Sequence, residues 1–111
     1  MEINKKLLLI LPLLLLSCSS ENPVDPINLT GYSSESLVHD SLQRQYLMYL
    51  PNSYQENTSY PLVINFHGFG EQINEYASYA DMRSLADSEN FILVYPQGEN
   101  LNGSPHWNAA L

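Results

Sequence analysis

Residues 61–70 read Pro-Leu-Val-Ile-Asn-Phe-His-Gly-Phe-Gly, an apolar run followed directly by two closely spaced glycines. Positions 62–66 are apolar and β-favouring except for Asn65, a composition typical of a strand that is covered on both faces. Gly68 and Gly70 allow the backbone to turn sharply after the strand. The stretch therefore predicts a buried strand that ends in a tight loop, with an Asn65 side chain that needs a hydrogen-bond partner if it is buried.

Two further strands are predicted before this stretch, at 36–39 and 44–50, with a short turn around 40–41 between them. Successive side chains of a strand point to opposite faces, so Leu47 and Tyr49 share one face of the second strand. A connection this short joins antiparallel neighbours. The segment therefore predicts an antiparallel β-hairpin.

The residues after the loop predict a helix and another strand. Residues 74–89 carry apolar side chains at helical spacing, with a break near Asp81, whose side chain can cap a second helical piece. Asn90 suits the left-handed position after a helix. Residues 91–95 predict a second buried strand, and 99–106 predict a turn-rich loop. Strand, loop, helix and strand at this spacing form a βαβ unit with parallel strands.

The N-terminus predicts an export signal over residues 1–17. Two lysines precede a leucine-rich run at 7–16, which is shorter than the roughly 20 apolar residues of a membrane-spanning helix. The run ends at Ser17-Cys18, which resembles a bacterial lipobox and implies cleavage before a lipidated Cys18. Residues 18–35 then predict a flexible tether. The alternative is an ordinary secretory signal with an incidental cysteine.

These features predict an exported protein that the Cys18 lipid anchor holds at the bacterial outer membrane or cell surface, or a periplasmic or extracellular one. The composition argues against a nucleic-acid partner. The chain has 12 acidic and 4 basic residues and a net charge of −8. Binding to nucleic acid through phosphates needs clustered lysine and arginine, so no nucleic-acid partner is predicted. The three histidines lie far apart without a metal-ligand spacing, so no metal site is predicted.

Four segments in order, 44–51, 60–68, 86–98 and 107–108, together resemble the start of the polyhydroxybutyrate depolymerase and feruloyl esterase-like branch of the α/β-hydrolases. The resemblance implies an α/β fold in which 36–111 is the N-terminal, truncated portion of a hydrolase domain: an antiparallel β-hairpin followed by a βαβ unit of an incomplete sheet. It also implies a secreted serine esterase with a Ser-Asp-His triad and no cofactor.

The same resemblance implies a role for the loop. Its backbone would supply an oxyanion-hole donor, the N–H of Phe69, with Gly68 and Gly70 allowing the turn. His67 comes too early in the chain for the base of a triad ordered Ser, acid, His, so it is predicted to support the loop. Trp107 is a candidate wall of the substrate pocket.

The catalytic residues themselves are not predicted within these 111 residues, because no Gly-X-Ser-X-Gly occurs among them. The nucleophile, acid and base are expected downstream, and this segment alone is expected to be inactive. The predicted substrates are carboxylic esters, either of polyhydroxyalkanoates or of feruloyl or acetyl groups on polysaccharides. Three alternatives remain open: a peptidase of the same fold, a non-catalytic surface lipoprotein that binds polymer or glycan, and an inactive truncated product.

Overall fold

The computed structural model describes residues 31–108. The predicted signal, Cys18 and most of the predicted tether lie outside these residues. In chain order the elements are β1 (Ser33–His39), β2 (Leu42–Tyr49), β3 (Leu62–Ile64), α1 (Ile73–Tyr79), α2 (Arg83–Glu89), β4 (Ile92–Pro96), β5 (Glu99–Leu101) and β6 (Ser104–His106). Among the described residues, no helix is long and apolar enough to cross a membrane.

Strands β1 to β4 form one sheet in the order β1-β2-β4-β3. β1 and β2 pair antiparallel, β2 and β4 pair antiparallel, and β3 and β4 pair parallel. The predicted hairpin and the parallel βαβ pair are therefore confirmed, and the fold is mixed α/β. β4 lies between β2 and β3 and pairs with both.

The turn between β1 and β2 lies at Asp40 and Ser41, as the sequence predicts. Both residues have positive φ, 49° and 62°, which matches the right-handed twist of a two-residue hairpin. β1 begins at Ser33, three residues earlier than predicted. Its first three residues are polar, because β1 is an edge strand with little apolar surface to bury.

The predicted helix is two helices with a break between them. α1 ends at Tyr79 and α2 begins at Arg83. The N-cap of α2 is Met82, without a side-chain cap, so Asp81 is not the cap residue that the sequence suggests; it lies one residue earlier, and its carboxylate accepts the Arg83 backbone N–H at 3.0 Å. After α2, Asn90 has φ 55° and ψ 56°, the left-handed conformation expected there.

The core lies between the two helices and one face of the sheet. Buried side chains from the strands meet small helix residues, Ala77 and Ala86, which let the helices lie close to the sheet. The strand contribution consists of Leu47, Tyr49, Leu93 and Tyr95. This is the face that the alternation of β2 predicts for Leu47 and Tyr49.

The opposite face of the sheet, here called the outer face, carries no helix among the described residues. Leu62 is 57% exposed, Ile64 46% and Phe66 55%. The composition of 62–66 predicts that other elements pack on both faces of the strand. Within residues 31–108 they pack on one face only, the face that α1 and α2 cover. The apolar alternation of β3 is real, but no described element packs against its second side.

The predicted loop at 99–106 is wrong in one respect, because it contains a second small sheet made of β5 and β6. The turn is Asn102-Gly103, with φ values of 53° and 87°. Asn-Gly is the strongest short hairpin signal. The strands on either side are short and polar and include Pro105, which explains why composition alone indicates a loop.

Candidate functional site

The loop at 67–71 follows Asn65, whose backbone and side chain are both held by contacts with other elements. The Asn65 N–H continues the β3–β4 pairing by donating to the Val94 carbonyl at 2.8 Å. Its side-chain Oδ1 accepts a hydrogen bond from the Tyr76 hydroxyl at 2.8 Å, and its Nδ2 lies 3.4 Å from the Met82 sulfur. The partner that the sequence requires for Asn65 therefore comes from α1, and it fixes the point at which the strand becomes a loop.

His67 is buried, with 3% of its surface exposed. Its Nε2 accepts the Gly98 backbone N–H at 2.9 Å and has a longer contact, 3.2 Å, with the Gln97 amide nitrogen. Nδ1 lies 2.7 Å from the Gly68 carbonyl, so the ring is a neutral tautomer with its proton on Nδ1. Neither nitrogen is free to take a proton from a nucleophile. The geometry agrees with a supporting role, which stays a prediction.

Gln97 and Gly98, the two residues that follow β4, both contact His67. The Gln97 Oε1 accepts the N–H of Ile73, the first residue of α1, at 3.0 Å, so this side chain caps a helix that has no cap of its own. Gly98 is buried against β6. A Cβ at Gly98 would lie 2.5 Å from the His106 carbonyl oxygen, so only glycine fits there. The end of β4 thus positions His67 and α1 together.

Trp107 approaches the loop from the other side. Its indole N–H donates to the His67 carbonyl at 2.9 Å. Its ring centroid lies 4.9 Å from that of Phe66 in an edge-to-face arrangement, and 4.9 Å from the His67 ring. Trp107 therefore fastens the loop as well as lining the surface beside it, a supporting contact that the sequence does not predict.

The three successive amides of the loop differ in their partners. The Gly68 N–H donates to the Glu71 carboxylate, and the Gly70 N–H donates to the Pro105 carbonyl at 2.7 Å. Within residues 31–108 the Phe69 N–H has no hydrogen-bond partner. The Phe69 side chain is 80% exposed. The loop therefore presents one unpaired backbone donor, flanked by two that are occupied.

The backbone of the loop is a β-turn from Gly68 to Glu71. The Glu71 N–H donates to the Gly68 carbonyl at 3.3 Å, and Gly70 at the third position has φ +82°. A positive φ at this position is the mark of a type II turn and favours glycine. The turn is the reason that the N–H of Phe69 lies at the apex and not in a ladder.

Glu71 binds a second partner besides Gly68. The Tyr79 hydroxyl, at the end of α1, donates to the other carboxylate oxygen. This hydrogen bond first, and that from Gly68 second, hold the pKa of Glu71 below its usual value of 4.5. The same contact raises the pKa of Tyr79 to about 12, because a neutral hydroxyl is the donor that a carboxylate needs.

An open concavity of about 1070 Å³ lies on the outer face beside the loop. Its apolar floor comes from β2, β3 and β4, and Phe66 and Trp107 lie at the end nearest the loop. The predicted position of Trp107 at a pocket is consistent with this lining. Because Leu62, Ile64 and Phe66 of this lining are about half exposed, the concavity is an open surface within residues 31–108 and not an enclosed site.

The other histidines do not join this site. His39 is exposed at the end of β1 and lies 3.4 Å from the Asp40 carboxylate, and His106 lies with Nδ1 2.9 Å from the Glu99 carbonyl. Across residues 31–108, no group of three or more His, Cys, Asp or Glu residues could hold a metal ion. Cys18 lies outside the described residues.

Sequence reasoning missed Glu71, Gln97 and Gly98. One signal exists for Glu71, because a glutamate three residues after a turn position can reach back to a backbone N–H, as in a helix capping box. No local signal exists for Gln97 and Gly98. Their contacts with His67 join segments about thirty residues apart and depend on the parallel pairing of β3 and β4.

Comparison with known proteins gives a partial similarity. No protein-family model matches the chain. Over 51 residues, or 46% of this chain, the sequence is 37% identical to the bifunctional acetylxylan esterase/xylanase XynS20E of Neocallimastix patriciarum. The matched segment is 7% of that protein's length. The similarity therefore indicates an esterase-related sequence, within a mixed α/β fold whose loop carries one unpaired amide.

Proposed function

We propose that this chain carries the oxyanion loop of an exported serine esterase of the α/β-hydrolase type, in the polyhydroxybutyrate depolymerase and feruloyl esterase-like branch. The nucleophile, acid and base would come from outside residues 31–108 of the full-length protein. The observation that carries the proposal is the unpaired N–H of Phe69. It lies between the hydrogen-bonded amides of Gly68 and Gly70, in the loop that follows the parallel strand β3.

The chemistry of ester hydrolysis explains why such a donor matters. A serine oxygen attacks the ester carbonyl, a histidine takes the serine proton, and negative charge builds on the carbonyl oxygen. A backbone N–H that is already held in place stabilises this charge with little reorganisation, and one such donor is worth about 3 kcal/mol. The Phe69 N–H would be one donor, and the residue after the nucleophile would supply the other.

His67 would act here without touching the substrate. Its ring is held through Gly98 and Gly68, and its carbonyl is held by Trp107. These contacts, from two other segments and from within the loop, would keep the loop in one conformation before the substrate arrives. Preorganisation of this kind is what makes an oxyanion donor effective.

The substrate class follows from the partial similarity and from the surface beside the loop. The name of the similar protein joins an acetylxylan esterase to a xylanase, which favours an acetyl ester on a polysaccharide for this chain, and the resemblance to the feruloyl esterase-like branch adds feruloyl esters as candidates. The Phe69 ring is exposed, so it can contact the acyl or alcohol part of a substrate. A polyhydroxyalkanoate ester is the second substrate that the proposed branch includes.

Location is part of the proposal. A lipidated Cys18 would hold the enzyme at the bacterial outer membrane or cell surface, close to polymeric substrates. Metabolic labelling with an alkyne fatty acid should mark the wild-type protein and leave Cys18→Ala unmarked. Equal labelling of the two would contradict the lipid anchor and leave an ordinary secretory signal.

The esterase proposal is tested on the full-length protein. We expect hydrolysis of nitrophenyl acetate, of a feruloyl ester or of acetylated xylan, together with covalent labelling by a fluorophosphonate that reacts with activated serines. Labelling that is lost on heat denaturation identifies a folded active site. A protein that neither hydrolyses any of these esters nor takes the label would contradict the proposal. If that protein bound insoluble xylan, the non-catalytic binding alternative would replace it.

A further inference from the structure

Glu71 has contacts that the proposed role of the loop does not by itself require. One carboxylate oxygen accepts the Gly68 N–H, the other accepts the Tyr79 hydroxyl, and the Glu71 N–H closes the turn onto the Gly68 carbonyl. A single residue therefore holds both polar groups of Gly68 and joins the loop to the last residue of α1.

A loop with two glycines needs such contacts. Glycine has more backbone freedom than any other residue, so Gly68 and Gly70 would otherwise leave the peptide groups between them free to rotate. The Gly70 N–H is held by Pro105. Glu71 supplies the equivalent restraint on the other side of Phe69.

We propose that Glu71 is the positioning residue of the loop: its carboxylate holds the Gly68 N–H so that, of the three successive amides, only that of Phe69 is presented to an acyl oxygen. The catalytic consequence rests on the proposed esterase function. The restraint itself is a property of the fold, and it can be measured whether or not the protein is an esterase.

The hydrogen bonds, and not the charge, are the part of Glu71 that this role needs. A carboxylate close to a developing oxyanion opposes that charge, so its presence is useful only if holding the loop outweighs the repulsion. Glutamine keeps an acceptor for Gly68, and its amide N–H can donate to the Tyr79 oxygen. Glu71→Gln therefore keeps both contacts, whereas Glu71→Ala removes both.

The first measurement is amide hydrogen exchange in the full-length protein with [¹⁵N]glycine label. The Gly68 resonance is identified by its disappearance in Gly68→Ala. In Glu71→Ala we expect the Gly68 amide to exchange about 10-fold faster or more, the effect of losing a hydrogen bond to a charged acceptor. Glu71→Gln, which keeps a neutral acceptor for this N–H, should exchange much more slowly than Glu71→Ala. Glu75→Ala is the matched control, since Glu75 is an exposed acidic residue of α1 whose carboxylate holds no loop amide.

The second measurement is steady-state hydrolysis of nitrophenyl acetate by the same variants. Glu71→Ala should lower kcat by roughly 10-fold to 100-fold with KM nearly unchanged, because a misplaced donor affects the transition state more than binding. Glu71→Gln should restore kcat to within about 3-fold of the wild type. Tyr79→Phe, which removes one support of the carboxylate, should lower kcat in the same direction by less. Equal melting temperatures would show that the loss does not come from unfolding.

The outcomes separate this inference from the proposed function. If the wild type hydrolyses no ester, the esterase proposal fails, and the exchange rates alone decide whether Glu71 holds Gly68. If the wild type is active and Glu71→Ala leaves either Gly68 exchange or kcat unchanged, the positioning role is wrong and the esterase proposal stands. If Glu71→Gln loses as much activity as Glu71→Ala, the charge matters and the role through hydrogen bonds is wrong.

Discussion

The two faces of the four-stranded sheet have similar apolar side chains and very different surroundings. On the face that α1 and α2 cover, Leu93 and Tyr95 are fully buried. On the outer face, Leu62, Ile64 and Phe66 are each about half exposed. Within β4 and β3, residues one position apart belong to opposite faces, so the difference comes from what packs on each side and not from composition.

The loop at 67–71 lies where these two environments meet. Contacts from the covered side hold it, through Tyr76 on Asn65 and Tyr79 on Glu71. On the other side, the apolar concavity of the outer face begins at Phe66 and Trp107. On the covered side α1 therefore helps to hold the loop, together with the contacts from Gly98, Pro105 and Trp107, whereas the outer face leaves space beside it for another group.

The largest expected effect is on the covered face. Leu93→Ala should lower the free energy of unfolding of the full-length protein by about 2–5 kcal/mol, because it leaves a cavity among side chains that cannot collapse. Urea denaturation followed by tryptophan fluorescence measures this change.

Ile64→Ala is the matched variant on the outer face. Within residues 31–108 Ile64 is 46% exposed, so with nothing further packed on it its truncation should cost no more than about half as much as that of a buried leucine. In the full-length protein, equal costs for the two variants would show that a segment outside residues 31–108, or another chain, covers the outer face.

The second effect concerns the support of the loop from the end of β4. Gly98→Ala places a Cβ 2.5 Å from the His106 carbonyl oxygen, which is backbone and cannot move by a simple rotation. We expect a loss of about 1–3 kcal/mol in stability, as for other overpacked sites, together with a weaker hold on His67.

Asn100→Ala, at an exposed position of β5, is the control for the hairpin and should change stability by less than about 0.5 kcal/mol. The same denaturation experiment measures both variants. A Gly98→Ala protein as stable as Asn100→Ala would show that β6 does not pack tightly enough against Gly98 to exclude a Cβ.

The sequence predicts the elements of the helix-covered face of the sheet better than it predicts the contacts of the loop. The alternation of β2, the apolar run of β4 and the left-handed Asn90 all have local causes, and each is confirmed. The polar start of β1 has no local signal, because pairing with β2 makes it a strand, whereas β5 and β6 carry the Asn102-Gly103 hairpin signal between strands too short and polar to be predicted from composition.

At the candidate site, too, the sequence predicts the local features and not the partners that come from other segments. The sharp turn after β3 follows from the two glycines, and the Asn65 partner follows from the cost of burying an amide. The identities of the partners could not be predicted, because Tyr76, Gln97 and Trp107 reach the loop only after the sheet and α1 are assembled. The functional roles of these residues stay predictions.

A smaller effect is expected at the edge of the covered face, where the Tyr49 hydroxyl donates to the Asp87 carboxylate at 3.0 Å and joins β2 to α2. Burial, followed by this hydrogen bond, raises the pKa of Tyr49. Tyr49→Phe should cost about 1 kcal/mol of stability, the net value of one hydrogen bond. Asp87 keeps the N–H groups of Asn52, which limits the loss. A cost above that of Leu93→Ala would contradict this ranking.

The smallest effect is a pH dependence at Asp81. Hydrogen bonds from Arg83 hold the pKa of this carboxyl below its usual 3.8. An acid with a lowered pKa in the folded state gives stability that is complete above its unfolded pKa and is lost as the pH falls below it. The wild-type protein should therefore lose free energy of unfolding between about pH 5 and pH 3, and Asp81→Asn should lose less over the same range. The difference between the two proteins should be small, because the Asp81–Arg83 pair is partly exposed. Identical pH profiles for variant and wild type would remove this contribution.

The central claim is that the unpaired Phe69 N–H acts as an oxyanion donor, and it is tested most directly by deleting that one hydrogen. Phe69 is the second residue of the β-turn, a position at which type II turns accept proline, so Phe69→Pro removes the N–H without opposing the turn. Phe69→Ala keeps the N–H and removes only the exposed ring.

On nitrophenyl acetate, the full-length Phe69→Pro protein should lose about 100-fold or more in kcat, as expected for one oxyanion donor, while Phe69→Ala keeps kcat and changes mainly KM. Circular dichroism and the melting temperature should match the wild type for both. A Phe69→Pro enzyme that retains the wild-type kcat would contradict the claim and leave the loop a structural turn.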